Sequence, residues 1–220
     1  MSLKNISVIG VDLDGTLYTQ SNEMQGRIRE KIYDRLGLEL DIPLDAASEL
    51  FEEEYNGNFP WSHSGSRTIE ELGKRVDRRL DGKGIVQQSI EQADILDLIP
   101  PNPEVNGMLG RLGTRFNLDL ITSTSYDLAY AKLKKIGIDE GKFTQIFAEG
   151  KYGSKSSGEA YRHWIEKRNT LPEQMLYVGD NKKQDIEVPN SAGIRTCFIG
   201  EYSDADYSIE NILDLETLLK

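Results

Sequence analysis

Val8-Ile9-Gly10-Val11-Asp12-Leu13-Asp14-Gly15-Thr16-Leu17 sets an apolar, β-branched run directly against two carboxylates two residues apart, followed by Gly-Thr. The run is short and bounded by turn residues, which predicts a fully buried strand over 5–11. In an extended chain, positions i and i+2 point to the same side, so Asp12 and Asp14 can converge on one spot. A turn after Asp12 could equally re-aim Asp14. Carboxylates held together repel unless a proton or a cation sits between them. Hard oxygen ligands beside a glycine turn favour Mg²⁺.

The chain has 220 residues, 38% of them hydrophobic, and a formal net charge of -11. That length suits one large domain or two small ones with a substantial core. The single cysteine, Cys197, lies in the apolar run Thr196-Cys197-Phe198-Ile199 and reads as a buried small hydrophobe. No intrachain disulfide can form, and a reducing, cytoplasmic setting is expected. The first apolar run is broken by Asp12, and no stretch approaches the ~20 residues needed to cross a bilayer, so neither a signal peptide nor a membrane partner is expected. The acidic balance argues against nucleic acid as a partner. An anionic substrate would then need positive charge supplied locally, by a metal, a lysine or a helix N-terminus.

Further along, apolar spacing predicts helices over 24–36, with Ile28, Ile32 and Leu36 on one face and Gly37 as the stop, and over 44–56. Thr68-Ile69-Glu70-Glu71-Leu72 opens another with a capping-box pattern, and 89–96 suggests one more. The Glu52-Glu53-Glu54 run reads as an exposed helix face. No buried strand is evident between 17 and 98, so that block reads as an all-helical unit of about four helices. From Asn102-Pro103, a cap followed by proline at the first helical position, the pattern becomes alternating βα. Strands are expected over 116–122, 145–148, 175–180 and 194–199. Helices are expected after Pro103, over 126–136 and 159–168, and as a closing helix over 209–219. The fold class is therefore α/β: a Rossmann-like parallel sheet sandwiched by helices (1–17 and 99–220), with an all-helical cap (18–98) inserted after the first strand. Ligands of such sheets bind beyond the carboxyl ends of the strands.

Several chemically loaded stations fall at that edge. The first strand ends at Asp12 and Asp14. The second ends at Thr122-Ser123, ahead of a helix whose N-terminus can hold phosphate. The 175–180 strand ends at Gly179-Asp180, with Asp185 five residues on. Between them lies Lys151-Tyr152-Gly153-Ser154-Lys155-Ser156-Ser157-Gly158. Taken alone, these read as an N-cap, a turn with a solvated acid and solvated lysines.

In order, these segments resemble the four motifs of the haloacid dehalogenase-like hydrolases. Asp12-Leu13-Asp14-Gly15-Thr16 is similar to DxDGT, Thr122 to the Thr/Ser station, Lys155 to the lysine station, and Gly179-Asp180 through Asp185 to GDxxxxD. The lysine station departs from the family's usual Lys-Pro, because Ser156 and Gly158 stand where prolines are common, and Lys151 competes with Lys155. The helical insertion resembles the C1 cap type, and its layout resembles that of pyrimidine 5′-nucleotidase-like members.

The resemblance implies a phosphatase acting on a small phosphorylated metabolite through an aspartyl-phosphate. Asp12 would be the nucleophile and Asp14 the acid/base. Thr122, Ser123 and Lys155 would hold the phosphate. Mg²⁺ would be bound by Asp12, the Asp14 carbonyl, Asp180 and Asp185. Asp14 favours phosphate esters over carbon–halogen cleavage, which needs no acid/base there. The alternatives are a sugar phosphomutase with the same core and cap, or a non-catalytic phosphate-binding or signalling protein. The Gly/Ser-rich stretch 55–67, with Phe59, Trp61, His63 and Arg67, either closes over the leaving group or packs the cap.

Overall fold

The computed structural model describes residues 3–57 and 65–220. Strand β1 (Val8–Val11) is buried along its whole length and lies at the centre of a six-stranded sheet. The others are β2 (Asn117–Ser125), β3 (Gln145–Glu149), β4 (Met175–Gly179), β5 (Arg195–Ile199) and β6 (Tyr207–Ile209), in the order β3-β2-β1-β4-β5-β6 with every pair parallel. A strand buried on both faces can be apolar throughout, as β1 and β4 are. Val11 stands level with Leu120 of β2 and Val178 of β4. Asp12, Thr122 and Asp180 therefore all leave the sheet at one edge. The order reverses beside β1, the position where open α/β sheets bind ligands.

The chain divides into two units, Met1–Thr19 with Ile99–Lys220, and Gln20–Leu98. The second contains α1 (Asn22–Leu40), α2 (Leu44–Gly57), α3 (Gly65–Arg75) and α4 (Gly82–Gln92), with no strand among its described residues. Ile32, Leu36, Ala47, Phe51, Ile69, Leu72 and Ile85 form its core. The first carries α5 (Pro103–Leu112), α6 (Tyr126–Ile136), α7 (Glu159–Arg168) and the short α8 (Val188–Ser191) and α9 (Leu215–Leu218). Trp164 of α7 packs so closely on β1 that a Cβ at Gly10 would meet its ring at 2.7 Å. Its indole donates to the fully buried Asp119 at 2.7 Å, and Arg168 pairs with the same carboxylate. A charge in mid-sheet is tolerable because both its oxygens are occupied.

Four local expectations are revised. Helix α1 runs through Gly37 to Leu40, ending at Asp41 in the left-handed region (φ 56). Gly37 instead admits the returning chain: Ile42 donates to its carbonyl at 3.0 Å, and a Cβ there would stand 3.0 Å from the Ile42 oxygen. Helix α4 begins well before 89, because Asp81 caps it by accepting from Gly84 at 3.0 Å. The closing helix over 209–219 is mostly replaced. Tyr207–Ile209 adds a strand to the sheet, and Asn211 with Asp214 forms a capping box that restarts only short turns. The Glu52–Glu54 run is not a simple solvated face. Glu52 is bound by Arg29 and Tyr33, Glu53 pairs with Arg75 at 2.8 Å, and Glu54 is buried. Of the stretch 55–67, residues 58–64, which include Phe59, Trp61 and His63, lie outside the described residues.

Candidate active site

After β1 the chain does not stay extended. Leu17 donates to the Leu13 carbonyl at 3.0 Å, closing a helical turn that begins one residue past Asp12. Asp12 itself stays tied to the sheet, its backbone N–H donating to Val178 at 2.9 Å. Asp12 and Asp14 are thereby sent to different partners.

The Asp12 side chain is buried and accepts from the Lys155 ammonium at 2.6 Å. The same ammonium lies 2.6 Å from Asp185 Oδ1. Lys155 is buried on a turn bracketed by two left-handed glycines, Gly153 (φ 80) and Gly158 (φ 75), and the face of Tyr177 lies 5.3 Å from its nitrogen. Lys151 is exposed and lies over the Tyr152 ring instead.

Asp185 sits in a π-helical turn (Lys182–Glu187), a form frequent at functional sites. The turn folds it back so that Oδ2 accepts from the Asn181 N–H at 2.9 Å. Its approach uses the missing side chain of Gly179, where a Cβ would lie 2.3 Å from Oδ2. Asp180 uses Gly15 in the same way: a Cβ there would lie 2.1 Å from its Oδ2. The glycines of both motifs thus make room for the carboxylates of one cluster.

Oxygens of Asp12, Asp180 and Asp185 all lie within 4.8 Å of one another. Burial, then the carboxylates of Asp185, Asp14 and Asp180, push Asp12 well above the carboxylate range against the opposing pull of Lys155. Burial and Asp185 push Asp180 up to about 6, although part of that residue faces solvent. Asp12 and Asp185 outweigh desolvation of Lys155 and hold its ammonium above its ordinary value. Oδ1 of Asp185 is buried and makes no hydrogen bond among the described residues, having only the ion contact to Lys155. One lysine therefore faces three acids, which leaves the cluster with excess negative charge. Such a donor set fits a hard divalent cation of the Mg²⁺ type.

Thr122 is buried, and its hydroxyl accepts from the Thr124 N–H at 3.1 Å. Strand β2 continues past Thr122 to Ser125 through an irregularity in its pairing with β3. The Ser123 side chain is exposed and donates to Gln184 at 3.0 Å. The structure thus brings Asp12, Lys155, Asp180 and Asp185 together and sets the Asp14 carboxylate apart from them.

Three further residues, which the motif spacing does not mark, surround Asp14. Lys132 Nζ lies 2.6 Å from Oδ1, Thr124 Oγ1 donates to Oδ2 at 2.7 Å, and the Tyr18 hydroxyl also donates to Oδ1. Desolvation of Asp14 is outweighed by the Lys132 charge and these bonds, so its carboxyl is held below its usual value. A signal for Lys132 was present. It falls with Ala129, Leu133 and Ile136 on the buried face of α6, where a lysine needs a partner.

The parallel sheet and the acidic cluster at its carboxyl edge define a Rossmann-like α/β core with its site at the strand ends. The chain belongs to the haloacid dehalogenase-like hydrolase family, whose description matches residues 9–199. It is 26% identical over 213 residues to a glyceraldehyde 3-phosphate phosphatase of Methanopyrus kandleri, covering 91% of this chain and 88% of that protein. A protein of the same name from Pyrococcus furiosus is 22% identical, with 96% and 89% covered. The crystal structure of a HAD phosphatase from Thermococcus onnurineus shares the fold, with a TM-score of 0.67, 22% identity and coverage of 97% and 98%.

Proposed function

We propose that this chain is a phosphatase that hydrolyses a small phosphomonoester through an aspartyl-phosphate on Asp12. The observation that carries the reading is the buried Asp12 carboxylate, clamped at 2.6 Å by Lys155 within a cluster that two more acids complete. An oxygen of Asp12 attacks phosphorus and the bond to the leaving oxygen breaks, with Asp14 supplying that oxygen with a proton. Water then attacks phosphorus and gives a proton to Asp14, releasing phosphate and regenerating Asp12. The cage around Asp14 favours its carboxylate, the form that accepts a proton from water. An arriving phosphate dianion adds like charge and pushes Asp14 the other way. Lys155 places fixed positive charge beside the phosphoryl oxygens, where charge redistributes during transfer. Thr122 and the Ser123 N–H hold further phosphate oxygens.

Asp12, Asp180, Asp185 and the Asp14 carbonyl would hold Mg²⁺. Bound there, the ion supplies charge neutralisation between nucleophile and phosphate and fixes in-line geometry. Two relatives carry names for glyceraldehyde 3-phosphate hydrolysis, so triose phosphates head the candidate substrates, ahead of nucleotides. The unit Gln20–Leu98 is proposed to carry the determinants of substrate choice. A panel of triose, sugar and nucleoside monophosphates, assayed for phosphate release with Mg²⁺, tests the reading. Release from a small ester, lost with Asp12→Asn, is expected. Equal turnover by the variant would overturn it.

A further inference from the structure

We infer that Lys132, with Tyr18 and Thr124, is a positioning residue that fixes the Asp14 carboxylate so that Oδ2 alone exchanges protons with the substrate. A carboxylate offers about four lone-pair sites, two on each oxygen. Oδ1 accepts from Lys132 at 2.6 Å and from the Tyr18 hydroxyl, which fills it. Oδ2 accepts from Thr124 at 2.7 Å, which leaves one site. Lys132 Nζ also lies 3.5 Å from Thr124 Oγ1, so that hydroxyl receives from lysine and points its own hydrogen at Asp14. The three donors come from separate pieces of chain: the turn after β1, the end of β2, and the buried face of α6. Their joint grip stops rotation of the carboxylate. Lys132 is only 2% exposed, and a cation buried that deeply has no solvent to offset loss of its partner. Nothing in the nucleophile cluster calls for it, since Lys155 already serves Asp12.

This inference rests on Asp14 being the acid/base, and the test separates the two. Release of the leaving group is timed in single turnovers with excess enzyme and Mg²⁺, using p-nitrophenyl phosphate and β-glycerophosphate. Nitrophenolate leaves without a proton, whereas a glycerol alkoxide cannot. Positioned proton transfer is worth roughly 10²–10⁴-fold, so Lys132→Met should slow glycerol release by about 30-fold or more, with nitrophenol release changed by less than about threefold. KM for both should move little. Tyr18→Phe combined with Thr124→Val should give the same contrast, and serves if Lys132→Met does not fold. Equal slowing of both substrates, or none, overturns the inference. Asp14→Asn, run alongside, tests the acid/base reading itself: it should slow glycerol release at least as much as Lys132→Met, with nitrophenol release little changed. Absence of that contrast in Asp14→Asn overturns the acid/base reading, whereas the contrast in Asp14→Asn alone overturns only the inference.

Discussion

Gly15 and Asp180 share one space: a Cβ on Gly15 would lie 2.1 Å from Asp180 Oδ2. Gly15 also sits at φ 81, where an L side chain is strained. Gly15→Ala should therefore displace Asp180 from the cluster. Mg²⁺ affinity, read by calorimetry, should fall at least ~10-fold, as when a carboxylate ligand's support is lost. Unchanged affinity would remove Asp180 from the proposed ligand set.

Asp12→Asn should lower turnover by at least ~10³-fold, the order seen when a nucleophile is removed. It should not unfold the protein. The substitution removes a carboxylate that burial and Asp185 already penalise, so the metal-free melting temperature should stay level or rise. A drop of many degrees would show that Asp12 stabilises the fold.

Lys155→Met leaves Asp12 and Asp185 buried without their cation, a loss of about 3–5 kcal/mol by comparison with broken buried pairs. Part of that loss should be recovered by Mg²⁺. Lys151→Met, on an exposed side chain over Tyr152, should change kcat/KM by less than about twofold, because an exposed cation contributes little. Thermal melts and kinetics on the two variants check both statements, and reversed effects would return the lysine station to Lys151.

Asp180 is held near 6, above its ordinary 3.8. Between those values the folded state binds more protons than the unfolded one, so metal-free stability falls as pH rises through that window. Mg²⁺ must displace the proton and so binds better as pH rises. The rise in melting temperature on adding Mg²⁺ should be larger at about pH 7.5 than at about pH 5. An equal shift at both would separate the metal from Asp180.

Asp119→Ala should cost about 3–5 kcal/mol, because it leaves the Arg168 charge and the Trp164 indole without their shared acceptor. Chemical denaturation measures this. A loss below about 1 kcal/mol would mean that Arg168 finds another partner.

The βα alternation after Asn102 and the apolar run into Asp12 were enough to place β1, β2 and β4 in one parallel sheet, because strand burial and helix periodicity are local properties of sequence. A parallel sheet brings all its carboxyl ends together, so the order of strands alone carries Asp12, Asp180 and Asp185 to one edge. Local signals misled where a distant segment decided. Gly37 resembles a helix stop but makes room for Ile42, and Tyr207–Ile209 becomes a strand because β5 is there to pair with it. The rotation that parts Asp14 from Asp12, and the delivery of Lys132 to it across 118 residues of chain, were settled only by the packing of α6 beside β2. Sequence fixes which side chains are carried on each face. Which buried charge meets which partner depends on how those faces are brought together, and at 2.6 Å that pairing sets the state of the acid.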